Sequence, residues 1–274
     1  FLNEIVFRVE ISDTFVAFST NFYFICHFSL KFNQLCYSVT RKYMEKNSEI
    51  HVLYKQLGET PNECILRFRK ERPDLDGISM TYAGRLDPMA EGVLIVLSGE
   101  MVHKKDEFLS LTKTYEAEVL WGFETDTLDV LGKISNYKFQ ISKEQDVKEF
   151  LEKSAGRFEQ KYPAFSSKPV NGKPLFEWAR EGKLNEIEIP QHEVEIFNAK
   201  HLSRRTLTKE ELLSEISSKI SKVNGDFRQK EILDKWTEVL KGSEIDGYFI
   251  EKILLEVSSG FYVRQYISDM AEKL

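Results

Sequence analysis

The spacing of apolar and polar residues divides most of the chain into strands and helices. The clearest signal is Val93-Leu94-Ile95-Val96-Leu97, an unbroken apolar run between Gly92 and Ser98-Gly99. It is short and β-branched, the pattern of a strand buried on both faces. Ile50–Tyr54 (IHVLY) and Ile250–Val257 (IEKILLEV) also read as strands, as does Val194–Leu202. Lys113–Phe123 (KTYEAEVLWGF) alternates like a half-buried strand and places Tyr115, Ala117, Val119 and Trp121 on one face. Thr60-Pro61-Asn62-Glu63 is a helix start, with Thr60 as cap, Pro61 at the first helical position and Glu63 closing a capping box; this helix runs to about Lys70. Helices are further expected at Met101–Leu111, at Ser142–Lys153 with Ser142 as cap, at Pro174–Glu181 ended by Gly182, and from about Gln265 onward. Residues 208–241 carry Leu212, Ile216, Ile220, Ile232, Trp236 and Leu240 at helical spacing, and Asn224-Gly225 splits them into a helical hairpin, an insertion expected on the edge of the domain.

Between these elements lies Tyr82-Ala83-Gly84-Arg85-Leu86-Asp87-Pro88, which reads as a loop, followed by a short turn at Met89–Gly92. Gly84 permits positive φ, and Pro88 drives Asp87 out of the helical region. An acidic side chain is thus held in a stiff loop before a buried strand, where a chemical group can be aimed. By itself the Asp-Pro pair reads first as a turn, since most such pairs do nothing else. A second candidate stretch, Gly156–Lys173, is irregular, basic and aromatic. There Lys161, Lys168 and Lys173 interleave with Tyr162 and Phe165, a composition suited to phosphates and stacked bases and also to an ordinary loop. Arg67, Arg69, Lys70 and Arg72 read as a solvated helix face or as phosphate contacts. Glu124–Asp129 is a polar loop whose Asp and Thr residues are expected to bond their own backbone.

Composition adds bounds. The 274 residues are 42% apolar and 30% charged, an ordinary globular mixture. A net charge of -6 argues against coating nucleic acid through bulk charge and leaves a local basic face open. Cys26, Cys36 and Cys64 have no paired spacing and read as free thiols; with five scattered histidines they imply no metal site. Residues 1–43 are rich in Phe and Tyr, and their longest uncharged run, Thr14 to Leu30, carries Ser, Thr, Asn and His, so no membrane span is expected. This segment is read either as a β-rich arm or as sequence ahead of a true start at Met44. The stop at Leu274, inside a helical pattern, reads as a C-terminal truncation.

Taken together the motifs have a family likeness. GRLDPMAEGVLIV resembles the GxLDPxAxGxLxV signature of the TruB family of pseudouridine synthases. KTYEAEVLWGFETDTLDVLGKI is similar to the family's KxYxxxxxxGxxTDTxDxxGxI motif. Gln160–Gly182 resembles its QxPPxxSAxKxxGxxLYExAREG segment, SSGFYVRQYISDM its KGTYIRxLxxDLG motif, and KQLGETPNE its K-P-x-G-x-T-S start. The five motifs stand in the family's order and cover roughly Ile50 to Leu274. The chain departs from the pattern at Tyr82, where the family often has His, at Arg85, at Lys161 and Ala164, and at Phe261 in place of Thr.

The resemblance implies a mixed α+β fold, with a largely antiparallel central sheet flanked by helices, for a catalytic domain over 44–274. It implies conversion of the T-loop uridine of transfer RNA (the position-55 type) to pseudouridine, in the cytoplasm, without cofactor or metal, by a monomer needing no protein partner. Asp87 matches the catalytic aspartate, Tyr115 the tyrosine that stacks on the target base, and Arg264 the arginine that pairs with the aspartate; Tyr262 and Tyr82 are further substrate-binding candidates. Arg85, Lys161, Lys168 and Lys173 are candidate RNA contacts. The chemistry suits these types: a carboxylate can attack or deprotonate, an arginine stabilises and directs its charge, and a phenol ring receives a base taken out of its stack. The alternative is a non-catalytic RNA-binding or RNA-folding module on the same fold.

Overall fold

The computed structural model describes residues 48–137, 143–245 and 247–274, and three short strands, β1 (Phe7–Val9), β2 (Thr14–Val16) and β3 (Ile25–His27). Met44, most of segment 1–43 and the expected cap Ser142 lie outside the described residues.

The buried apolar run becomes the middle of β6 (Ala90–Ser98). Along one side it pairs antiparallel with β4 (Ile50–Lys55), Tyr54 facing Val93. Its other side is shared by β5 (Met80–Ala83), antiparallel, and β1, parallel. β1 also pairs with β7 (Lys113–Leu120). Two corrections follow. Tyr82 and Ala83, read as loop, belong to β5, and Ala90, read as a turn residue, opens β6, whose pairing extends well beyond its apolar centre. Sheet order continues from β7 through β14 (Tyr248–Val257) and β13 (Gln191–Leu207) to β10 (Gly156–Lys161). All of these pairs are antiparallel except β1 with β6. β13 outruns its apolar core by pairing along the whole of β14, with register shifts at Ile196/Asn198 and His201/Ser203. β10, expected to be irregular, pairs with β13 along its full length. Small two-stranded ribbons complete the strands: β8 (Phe123–Thr125) with β9 (Ile134–Tyr137), and β11 (Pro169–Val170) with β12 (Lys173–Pro174).

Helix α1 (Pro61–Glu71) starts at its expected capping box: Glu63 N donates to Thr60 Oγ1 at 3.2 Å, and Thr60 N donates to Glu63 Oε2 at 2.7 Å. It packs Cys64 and Ile65 on Leu94 and Val96. The helix expected at 101–111 is shorter: a 3-10 turn at Gly99–Lys104 and then α2 (Lys105–Leu109). α3 (Glu144–Glu152) and α4 (Leu175–Arg180) follow, then the hairpin α5 (Lys209–Ile220) and α6 (Gln229–Lys241), then α7 (Val263–Lys273). One core joins Val147 and Leu151 of α3 and Ile267 and Met270 of α7 to Ala117, Val119, Ile253 and Leu255 of the sheet. A second joins Leu212, Ile216, Ile232 and Trp236 of the hairpin to Leu120, Phe123, Val130 and Ile250. Each such buried Val, Leu, Ile, Met or Phe side chain stabilises by about 1.5–3 kcal/mol relative to exposure. The hairpin, expected on the edge, is therefore built into a core. No described helix is long and apolar enough to cross a membrane.

Candidate functional site

Asp87 sits between two anchors in the β5–β6 connection. Leu86 and Met89, on either side, are buried in separate cores, and Gly84 takes φ 97° as expected. The backbone is pinned where Ala90 N donates to Asp87 O at 2.9 Å and Gly58 N to Pro88 O at 2.8 Å. Lys55, fully buried, donates Nζ to Ala90 O at 2.5 Å, and burial pushes its ammonium down to about 8. The carboxylate is left partly open, with its side chain 28% exposed.

Arg264, on the first turn of α7, meets it there. Its Nε donates to Asp87 Oδ2 at 2.8 Å, Nη1 to Thr127 O at 2.5 Å and Nη2 to Phe165 O at 3.4 Å. Arg264 is only 3% exposed. Burial alone would lower its pKa, but Asp87 and Asp129 outweigh that and raise it, so the guanidinium stays charged. Asp129 Oδ2 lies 3.9 Å from Arg264 Nε, and Asp129 Oδ1 accepts from Thr127 Oγ1 at 2.8 Å and Leu131 N at 3.0 Å. Burial pushes the Asp129 carboxyl up to about 6, against the pull of Arg264 and with the push of Asp87. The 124–129 loop bonds its own backbone, as expected, and also presents Thr127 O to the arginine. Gly132 closes it, since a Cβ there would come within 2.2 Å of Thr127 Oγ1.

These groups open on a cavity of about 550 Å³, within the usual range for ligand pockets. Asp87, Arg85, Tyr115, Tyr262 and Arg264 all line it. Burial first, and then the Asp87 charge, raise the Tyr115 phenol, and the same pair of causes raises Tyr262, so both hold their protons at neutral pH. Tyr262 is held by Gln160, which accepts from Tyr262 N at 2.8 Å and donates to Tyr262 O at 3.0 Å. Lys113, also in the lining, donates Nζ to Leu109 O and Leu111 O at 2.6 Å each, and burial lowers it to about 8.

The other candidates lie outside the cavity lining. Tyr82 accepts from Arg85 Nη2 at 3.1 Å and has the Lys105 ammonium 5.4 Å above its ring. Lys161 ends β10, exposed to solvent. Lys168 covers the Tyr162 ring at 4.9 Å, and Lys173 pairs with Glu181 at 2.6 Å while covering Trp178. The α1 arginines are engaged within the fold: Arg67 with Glu59, Arg69 with Leu75 O and Ile78 O, Arg72 with Asp74. Sequence reasoning did not single out several lining residues, among them Asp129, Ser166, Phe227 and Arg228. Asp129 was visible only as part of a motif. Ser166, 4% exposed, has a hydroxyl with no hydrogen-bond partner among the described residues. Phe227 and Arg228 come from the helical hairpin, where the sequence carries no signal for them.

Comparison with known proteins bears on this geometry. Residues 75–223 match the family described as TruB family pseudouridylate synthase (N terminal domain). The chain is similar to a "tRNA pseudouridine synthase B" of Bacillus anthracis, 34% identical over 165 residues, covering 60% of this chain and 52% of that protein. To the protein of the same name from Aquifex aeolicus it is 30% identical over 202 residues, covering 72% of this chain and 68% of the other. Among solved structures, a Cbf5-Nop10-Gar1 complex aligns with 100% of this chain and 54% of its counterpart at 13% identity and a TM-score of 0.45. The chain spans about half the length of the first relatives it matches.

Proposed function

Because the chain belongs to the TruB family of pseudouridylate synthases, we propose that it isomerises one uridine in the T-loop of a transfer RNA to pseudouridine. The observation that carries this reading is the Arg264–Asp87 pair at 2.8 Å, opening on a cavity that also receives Tyr115. The reaction breaks the N1–C1′ glycosidic bond, turns the uracil, and forms a C5–C1′ bond. The C5 proton leaves and N1 gains one, so the product is an isomer of the substrate and needs no oxidant or co-substrate.

Each side chain has a part that its surroundings support. Asp87 is the catalytic carboxylate, acting on the base or sugar of a uridine turned out of its stack. Arg264 fixes the direction of Asp87 and balances its charge as water is excluded. Tyr115, with its proton held, gives the uracil a stacking face and a polar tip close to the reacting atoms. Tyr262 packs at the same end of the cavity. Arg85, exposed and in the cavity lining, offers its charge to a phosphate; Tyr82, whose hydroxyl accepts from Arg85, takes the insertion role open to an aromatic ring, and Lys161 and Lys168 extend the RNA-facing surface. Lys173, paired with Glu181, is the weakest of the proposed contacts. The reading places the chain in the cytoplasm, with transfer RNA as its partner.

The test is pseudouridine formation on an unmodified transfer RNA transcript, mapped to the nucleotide, with the chain as it stands and with Asp87→Asn. The expected result is product at one T-loop uridine with the first, and none with Asp87→Asn, whose RNA affinity stays within several-fold. An active Asp87→Asn protein removes Asp87 from the chemistry. RNA binding without product from the unaltered chain would favour a non-catalytic RNA-folding module.

A further inference from the structure

The hairpin of α5 and α6 reaches the cavity through its turn. There Gly225 stands at φ 82° and Arg228 at φ 63°, a left-handed conformation uncommon for arginine. Gln229 holds the turn: its amide donates to Val223 O at 3.1 Å and Gly225 O at 2.7 Å, and its Oε1 accepts from Phe227 N at 2.9 Å. This backbone sets Phe227 and Arg228 in the cavity lining.

Arg228 makes two contacts there. Its fork closes on Asp126, Nη1 to Oδ2 at 2.7 Å and Nη2 to Oδ1 at 3.3 Å, and its guanidinium lies 5.2 Å above the Phe165 ring. Asp126 and Phe165 belong to the two segments that supply Arg264 with backbone acceptors, Thr127 O and Phe165 O. One arginine thus clamps the pair of irregular segments that orient the other. The hairpin also holds the far part of the first segment: Lys133 Nζ pairs with Glu231 at 2.8 Å, and Trp236 Nε1 donates to Val130 O at 3.3 Å.

We infer that Arg228 is a positioning residue for the proposed isomerisation: by clamping Asp126 and Phe165 it sets the two carbonyls that aim Arg264 at Asp87. The inference rests on the functional reading above for its effect on rate, and on geometry alone for its effect on Arg264. Both acceptor carbonyls lie outside the regular sheet, where an error of about an ångström is easily reached and can cost on the order of a hundredfold in rate. A fork on a carboxylate fixes angle as well as distance, which a lysine cannot reproduce.

The experiment compares the full chain with Arg228→Ala, Arg228→Lys, Asp126→Asn and the double variant Arg228→Ala/Asp126→Asn. Three quantities are read: RNA dissociation constant, single-turnover rate on a transfer RNA transcript, and the Nε–H resonance of Arg264, identified by its loss in Arg264→Lys. The expected result for Arg228→Ala is a rate about tenfold to a hundredfold lower, RNA affinity within a few-fold, and a displaced Arg264 resonance. Asp126→Asn does the same, the double variant is no worse than either, and Arg228→Lys restores part of the rate. An unmoved Arg264 resonance in folded Arg228→Ala or Arg228→Lys overturns the inference. So does weakened RNA binding at unchanged rate, which would make Arg228 an RNA contact. If the unaltered chain forms no pseudouridine, the functional reading fails, while the Arg264 resonance still decides the clamp. Arg228→Lys keeps the charge and stem and carries the test if the alanine variant does not fold.

Discussion

Replacing Asp129 with asparagine asks which force governs the buried end of the cavity. In an unfolded chain an aspartate titrates near 3.9; in the fold, burial lifts Asp129 to about 6. The native state therefore binds the proton more tightly than the unfolded state does. Below about pH 4 both states carry it and nothing is lost. As pH rises through the window the unfolded chain ionises first, and native stability falls until the folded carboxyl has also ionised, above about pH 6. Two pH decades at about 1.4 kcal/mol each come to roughly 3 kcal/mol. The opposing attraction of Arg264, 3.9 Å away, would reach roughly 4 kcal/mol at an effective dielectric constant of about 20. That cation is already engaged by Asp87 at 2.8 Å, and burying a carboxylate costs several kcal/mol, so burial wins. Asparagine keeps an Oδ1 to accept from Thr127 Oγ1 and Leu131 N. Urea unfolding of both proteins from pH 4 to pH 8 isolates the group, because every other titration is shared. Between pH 4 and about 6.5 the asparagine variant should gain roughly 3 kcal/mol on the parent, with no further change above. Parallel curves, or a parent that gains on the variant as pH rises, would refute the reasoning and hand the site to Arg264.

Two further outcomes follow from the same geometry. Gly132→Ala would press a methyl to 2.2 Å from Thr127 Oγ1 and 2.7 Å from Thr125 Cβ; about 1–3 kcal/mol of stability should be lost, with a lower melting temperature and a slower RNA reaction, and an unchanged melting temperature would show that the loop yields freely. Tyr115→Phe keeps the ring and removes a hydroxyl whose proton is held by burial and by Asp87; the single-turnover rate should fall by about a hundredfold or more with RNA affinity kept within a few-fold, and an unaltered rate would leave the ring with stacking alone.

What could be read from the chain was whatever its local chemistry dictates. Val93–Leu97 has no other plausible home than a strand covered on both faces, and Thr60 with Glu63 fixes the start of α1 to the residue. β10 was missed because GRFEQK buries little besides Gln160 and partly Phe158, so its strand character comes from β13 beside it rather than from its own pattern. β13 was cut short for a related reason, since its polar second half is ordered by pairing with β14. At the site, Asp87, Tyr115 and Arg264 were reached through motifs, and the fold brings them to one cavity. Phe227 and Arg228 had no local mark. Their turn looks like any polar helix-to-helix connection; what aims it inward is tertiary, the core shared by Trp236, Ile232, Val130 and Ile134 together with the Gln229 and Arg228 contacts.

Arg264 ties together residues that are far apart along the chain: Asp87 lies 177 positions before it, Thr127 lies 137 before it and Phe165 lies 99 before it. The entropy of closing such long loops grows slowly, about 0.6 kcal/mol for each doubling of length, so distance hardly weakens the finished cluster. It does fix an order of events. On a ribosome, β4 through β9 are made long before α7, and Asp87 waits for its counter-charge until the chain has grown the 177 positions to Arg264. The growing chain thus carries its carboxylate without the arginine that directs it, and gains the assembled pair only as α7 docks.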